Sequence, residues 1–78
     1  LQLYLAELCR EFPEARDFHD LQVRTVEDQV VVSCHCVLDG ALLITRVHDL
    51  ATELELRIKQ RFPQLFRVTI HCEPPEAH

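Results

Sequence analysis

The spacing of apolar residues along this chain of 78 residues switches between helical and alternating, and the order of the switches limits the folds open to it. In residues 1–12 (LQLYLAELCREF), Leu1, Leu5, Leu8 and Phe12 recur at intervals of four, three and four, one apolar helical stripe that Pro13 ends. Residues 18–26 alternate instead, with His19, Leu21 and Val23 on one side and Asp20, Gln22 and Arg24 on the other, the pattern of a strand with one wet face. After the polar turn Glu27-Asp28-Gln29, the β-branched run of residues 30–38 sets Val31, Ser33, His35 and Val37 opposite Val30, Val32, Cys34, Cys36 and Leu38. The two runs read as a hairpin. Asp39-Gly40 breaks the pattern, and from about Leu43 the residues Ile44, Val47, Ala51, Leu54, Ile58 and Phe62 return to helical spacing until Pro63. In the last run Phe66, Val68, Ile70 and Cys72 oppose Arg67, Thr69, His71 and Glu73, and Pro74-Pro75 ends it.

The predicted order is therefore αββαβ, an α+β arrangement in which a helix separates the second and third strands and helices pack on one side of the sheet. Residues 1–78 make a single domain without internal repeats or long linkers, near the size where a metal, a disulfide or a second subunit adds to a modest core. A content of 47% hydrophobic and 27% charged residues, with one Gly, is an ordinary globular balance. Thirteen acidic residues against 8 basic ones give a net charge of -5, and the scattered Lys and Arg form no stripe that follows a phosphate backbone, which argues against nucleic acid. No apolar stretch approaches the ~20 residues that cross a bilayer, and the start lacks the order of a signal peptide. With Leu1 first and no Met, the sequence is expected to be a segment of something longer.

Chemistry concentrates in the histidines. His19 and His35 fall in strand-like runs, His48 at the flank of the second helical stripe, and His71 in His71-Cys72-Glu73-Pro74. His71 and Glu73 are two apart on a strand, so both leave the same face within reach of one ion. Imidazole and carboxylate are the ligands that borderline divalent metals prefer. Each residue alone has an ordinary alternative, a histidine at the rim of the core bonded to backbone or an exposed polar strand face. Alternation sends Asp20 to the face opposite His19, so these two are not expected to chelate one ion. Cys34, Cys36 and Cys72 lie on the apolar sides of their strands and read as small buried thiols. Cys34 and Cys36 are poorly placed to bridge each other, and reduced thiols in a cytosolic setting are expected. Cys9 and His78 carry less weight. Without a Gly-rich phosphate loop, a Cys-x-x-Cys, or an exposed nucleophile beside a base, the chain does not read as an enzyme.

The stretch Phe18-His19-Asp20-Leu21-Gln22-Val23-Arg24, the strand from Val30 to His35, Ala51-Thr52-Glu53-Leu54-Glu55 beyond His48, Arg61-Phe62-Pro63, and Val68-Thr69-Ile70-His71-Cys72-Glu73-Pro74 occur together in this order. From about Leu3 to Pro74 the chain resembles the cytoplasmic C-terminal domain of cation diffusion facilitator transporters. The resemblance implies a metallochaperone-like (ferredoxin-like) two-layer sandwich of two helices on a three-stranded mixed sheet. It further implies a V-shaped homodimer on the cytoplasmic side of the cell membrane, attached to a six-helix transmembrane transporter domain, which binds divalent cations and couples their level to transport. In zinc-binding members the ligands match His19, His35, His48, His71 and Glu73, so Zn(II) is the expected ion, with other divalent transition metals as alternatives. Cysteines at 34, 36 and 72 depart from the family pattern, and thiolate ligation would shift the preference towards softer ions. Two rival readings are a freestanding metallochaperone and a purely structural dimerisation module whose histidines line the interface.

Overall fold

Five elements follow the predicted order, α1 (Gln2–Glu11), β1 (Ala15–Val26), β2 (Gln29–Leu38), α2 (Ile44–Arg61) and β3 (Leu65–Glu73), in a computed structural model that describes residues 1–75. His78 lies outside the described residues. Both helices end in the same way. Phe12 and Phe62 leave the helical region ahead of Pro13 and Pro63, as the residue before a proline must, and each still donates its N–H to the carbonyl four residues back. A turn with proline at its second position then closes each helix-to-strand joint, through Ala15 N–H to Phe12 O at 2.9 Å and Leu65 N–H to Phe62 O at 3.0 Å.

The sheet has the order β1-β2-β3, with β2 antiparallel to β1 and parallel to β3. Glu27 and Asp28 make the hairpin turn, both at positive φ (51° and 68°) and flanked by the Val26–Gln29 pair, the signature of a two-residue type I′ connection. Gln29, expected in the turn, opens β2 instead. Both helices cover one face of the sheet. Leu5 and Leu8 of α1 and Leu50, Leu54 and Ile58 of α2 close over Val32, Cys34, Cys36 and Leu38 of β2 and Leu65 and Ile70 of β3. The other face, carrying Ser33 and His35, has no helix on it.

Two apolar assignments made from periodicity are overturned. Phe66 is 46% exposed because β3 shifts register there: Leu65 pairs with Val30 and Arg67 with Val31, which leaves Phe66 as the extra residue and gives its core position to Leu65. Ile44 is 84% exposed, since the buried line of α2 runs through Leu50, Leu54 and Ile58 and the first turn overhangs the core. That turn is tied down electrostatically, by Arg46 donating to both carboxylate oxygens of Glu14 at 2.8 and 2.5 Å. The outer edge of β3 is also occupied. Glu55 of α2 accepts the Ile70 N–H at 2.9 Å and Lys59 donates to the Phe66 carbonyl at 2.8 Å, so side chains take bonds that an added strand would need.

Candidate metal centre

Register brings the site together. His19 of β1 pairs with His35 of β2, and His35 pairs with His71 of β3, so three imidazoles stand in a row across the helix-free face, with ring centroids 5.3 and 5.2 Å apart. Glu73, two residues beyond His71 and on the same face, reaches back along the row. Its Oε1 lies 2.5 Å from His19 Nε2 and its Oε2 lies 3.2 Å from His35 Nδ1. Among the described residues, His19, His35 and Glu73 form a group whose potential ligand atoms all lie within 4.8 Å of one another. All three are half-buried, with Glu73 the least exposed at 19% of its side chain. Hydrogen bonds from His19 first and His35 second hold the Glu73 carboxyl below the usual carboxylate range, so it stays an ionised acceptor.

Two imidazoles and one carboxylate at this separation suit a zinc-type ion, which takes such ligands at about 2.0–2.2 Å in a tetrahedral set and accepts a fourth donor from elsewhere. His71 stands next in the row, exposed, with its ring against that of His35. His48 is exposed on α2, the helix that packs against the opposite face of the sheet, and is outside the His19–His35–Glu73 group. The thiols are separated from the group by the strands themselves. Cys34 and Cys36 point into the core at 1% and 0% exposure, and burial pushes the Cys34 thiol up to about 11 and Cys36 higher still. Cys72 is raised as well, by burial and then by the charge of Glu55. All four cysteines are free thiols.

One residue escaped the sequence reading. β1 carries a bulge between His19 and Gln22, where Asp20 and Leu21 together oppose Cys34 and Asp20 takes a left-handed backbone at φ 55°. Phe18 and Leu21 both pack against the core with only two residues between them, so strict alternation fails and His19 and Asp20 share a side. The Asp20 carboxylate consequently comes within 3.6 Å of His35 Nε2, which corrects the expectation that it faces away from the histidines. The signal was present in the sequence as two apolar residues at a spacing of three inside an alternating run.

The family described as cation efflux protein, cytoplasmic domain, matches residues 4–75. The cation-efflux pump FieF of Pectobacterium carotovorum is 30% identical over 73 residues, covering 94% of this chain and 24% of the pump. An uncharacterised transporter of Synechocystis is 39% identical over 59 residues, 76% of this chain and 19% of the transporter. The chain thus spans about a quarter or less of the length of these relatives. Among solved structures, the zinc form of CzrB superposes with a TM-score of 0.83 at 32% identity, covering 99% of this chain and 83% of that one. The metal-bound C-terminal domain of the CzcD transporter from Thermotoga maritima has a TM-score of 0.79 at 23% identity, covering 90% and 81%, a likeness of fold. None of the described helices is long and apolar enough to cross a membrane.

Proposed function

Because this chain belongs to the cation efflux family, as the cytoplasmic domain of such a protein, we propose that it is the metal-sensing part of a divalent cation transporter, taking up a Zn-type ion from the cytosol and reporting its level to an attached membrane domain. The observation that carries this reading is the convergence of His19, His35 and Glu73, one from each strand, within 4.8 Å on a face that no helix covers. His71 adds a donor next in the row and His48, apart on α2, belongs to a second site of the same subunit or to a site shared with a second copy of the chain.

The contacts among these three side chains support a role for binding in signalling. Glu73 accepts hydrogen bonds from both imidazoles, so the three groups already hold one another near the positions an ion requires. An ion supplies a stronger electrostatic tie between the three strands than those hydrogen bonds do, and it leaves the histidine tautomers and the carboxylate committed to one geometry. A second copy that offers a donor in the bound geometry then binds better to the loaded domain, which shifts the population between open and closed dimers. The zinc form of the similar CzrB structure supports the choice of ion, and the relatives named as cation-efflux pumps support the attachment to a transporter.

Isothermal titration with Zn(II) tests the assignment. His35→Ala and Glu73→Ala each remove a donor from the group and are expected to weaken zinc binding by roughly 10–100-fold or more. Wild-type affinity in both variants would remove these residues from the site. A freestanding metallochaperone would share this result, and differs in predicting a native reading frame that ends near the boundaries of this domain.

A further inference from the structure

The helix-free face continues past the histidines towards the β1–β2 hairpin. Two residues back along β2 from His35, Ser33 pairs with Gln22 and Thr69, and two further back Val31 pairs with Arg24 of β1 and Arg67 of β3. The face thus carries imidazoles and a carboxylate at one end and two guanidinium groups at the other. The register shift that displaces Phe66 is what sets Arg67 opposite Val31.

An open groove of about 510 Å³ runs over this basic end, lined by both arginines, by Val31 and Phe66, and by Ser33 and Thr69. Neither arginine has a carboxylate partner among the described residues, whereas Arg16, Arg46 and Arg57 are each held by at least one. Glu27 of the hairpin turn also borders the groove and is paired with neither. In a chain with 13 acidic residues against 8 basic ones, an arginine pair left without a carboxylate marks a groove suited to an anion from outside. The Arg67 guanidinium carbon lies 5.9 Å from the centroid of the Phe66 ring, a cation–π approach that uses none of its N–H donors. Adjacent strands are about 4.8 Å apart, which separates the Cα atoms of Arg24 and Arg67 by about 10 Å, so two long side chains leaning over Val31 can close on one small group. A carboxylate, with one charge and two oxygens, is satisfied by a single guanidinium fork. A phosphate dianion has the charge and the acceptor oxygens for two.

We infer that this groove binds a phosphate monoester, with the dianionic head between Arg24 and Arg67 and the organic part against Val31 and Phe66. The site goes beyond the cation site proposed above and does not depend on it. His71 borders both, but His19, His35 and Glu73 do not line the groove, and the arginines ligate no cation.

Phenyl phosphate is the probe, titrated into the metal-free protein at about pH 8 and followed by amide NMR. At that pH the ester is a dianion and the imidazoles are neutral. Saturable shifts are expected at Val31, Ser33, Arg67 and Thr69, complete below about 10 mM. Arg24→Gln and Arg67→Gln should each weaken binding roughly tenfold, while Arg10→Gln on α1 removes the same charge and should leave it at the wild-type level. Equal weakening by all three variants would reduce the effect to net charge and overturn the inference, as would the absence of saturable shifts in the groove. Flotation with phosphatidylcholine vesicles containing phosphatidic acid separates the sources of the ester: binding that Arg24→Gln and Arg67→Gln abolish supports a lipid headgroup, and saturable shifts without flotation support a soluble ester. Glu73→Ala keeps the two sites apart. It should lose zinc affinity and keep phenyl phosphate, and a loss of phenyl phosphate there would put the anion at the histidine row and overturn the inference.

Discussion

Glu73 is the residue on which the three strands meet, and its protonation has a predictable consequence. Hydrogen bonds from His19 and then His35 lower its folded pKa below the unfolded value, so its contribution to stability is complete above the unfolded carboxyl pKa of about 4.3 and is lost as pH falls through the lower folded one. In metal-free protein the gap in melting midpoint between wild type and Glu73→Gln should therefore be present at about pH 5 and close in stronger acid. A gap independent of pH down to full protonation would deny the carboxylate this role. The cysteines illustrate the opposite case. Cys34 and Cys36 flank His35 in sequence but leave β2 on the other face, and in the core they stay protonated thiols. Their apolar-side placement was legible from alternation alone, because β2 is regular around them. Asp20 was not legible in the same way, because a bulge in β1 breaks the rule that the reading relied on.

The elements themselves were largely visible in the chain. The stripe Leu1, Leu5, Leu8 and Phe12 became α1, whose Leu5 and Leu8 are buried, and the alternation of residues 30–38 divided β2 into a core face and a histidine face as read. What periodicity missed were the positions of Phe66 and Ile44, one displaced by a register shift and the other carried past the end of the sheet's packing surface. The β1–β2 hairpin carries a local cost of its own. A type I′ turn favours Asn-Gly, and here Glu27 and Asp28 occupy the two left-handed positions. Replacing them together, Glu27→Asn with Asp28→Gly, should raise stability by about 1 kcal/mol, read as a higher denaturant midpoint at constant slope. The turn lies at the end of the hairpin away from Glu73, so zinc affinity should not change, and a loss of stability would mean that these side chains make contacts outweighing the backbone relief.

At the scale of the molecule, a small domain has a modest core, and a ligand bound only by the folded state adds directly to its stability. Zinc at about a hundred times its dissociation constant contributes about 2.7 kcal/mol. For a domain of this size each 1 kcal/mol moves the midpoint by about 4–8 °C, so a thermal melt with Zn(II) at neutral pH should rise by roughly ten degrees or more. The rise should vanish at about pH 5, below the ordinary histidine range, since a protonated imidazole cannot ligate. A purely structural dimerisation module predicts no shift at either pH. The sequence by itself determined the order of elements, the two faces of β2 and the residue types of the candidate site, because side-chain periodicity and proline placement act within a few residues of chain. Only the tertiary structure decided that Glu73 closes on His19 and His35, that Asp20 turns towards them and that His48 stands apart on α2, because register, bulges and helix placement depend on how distant segments pair.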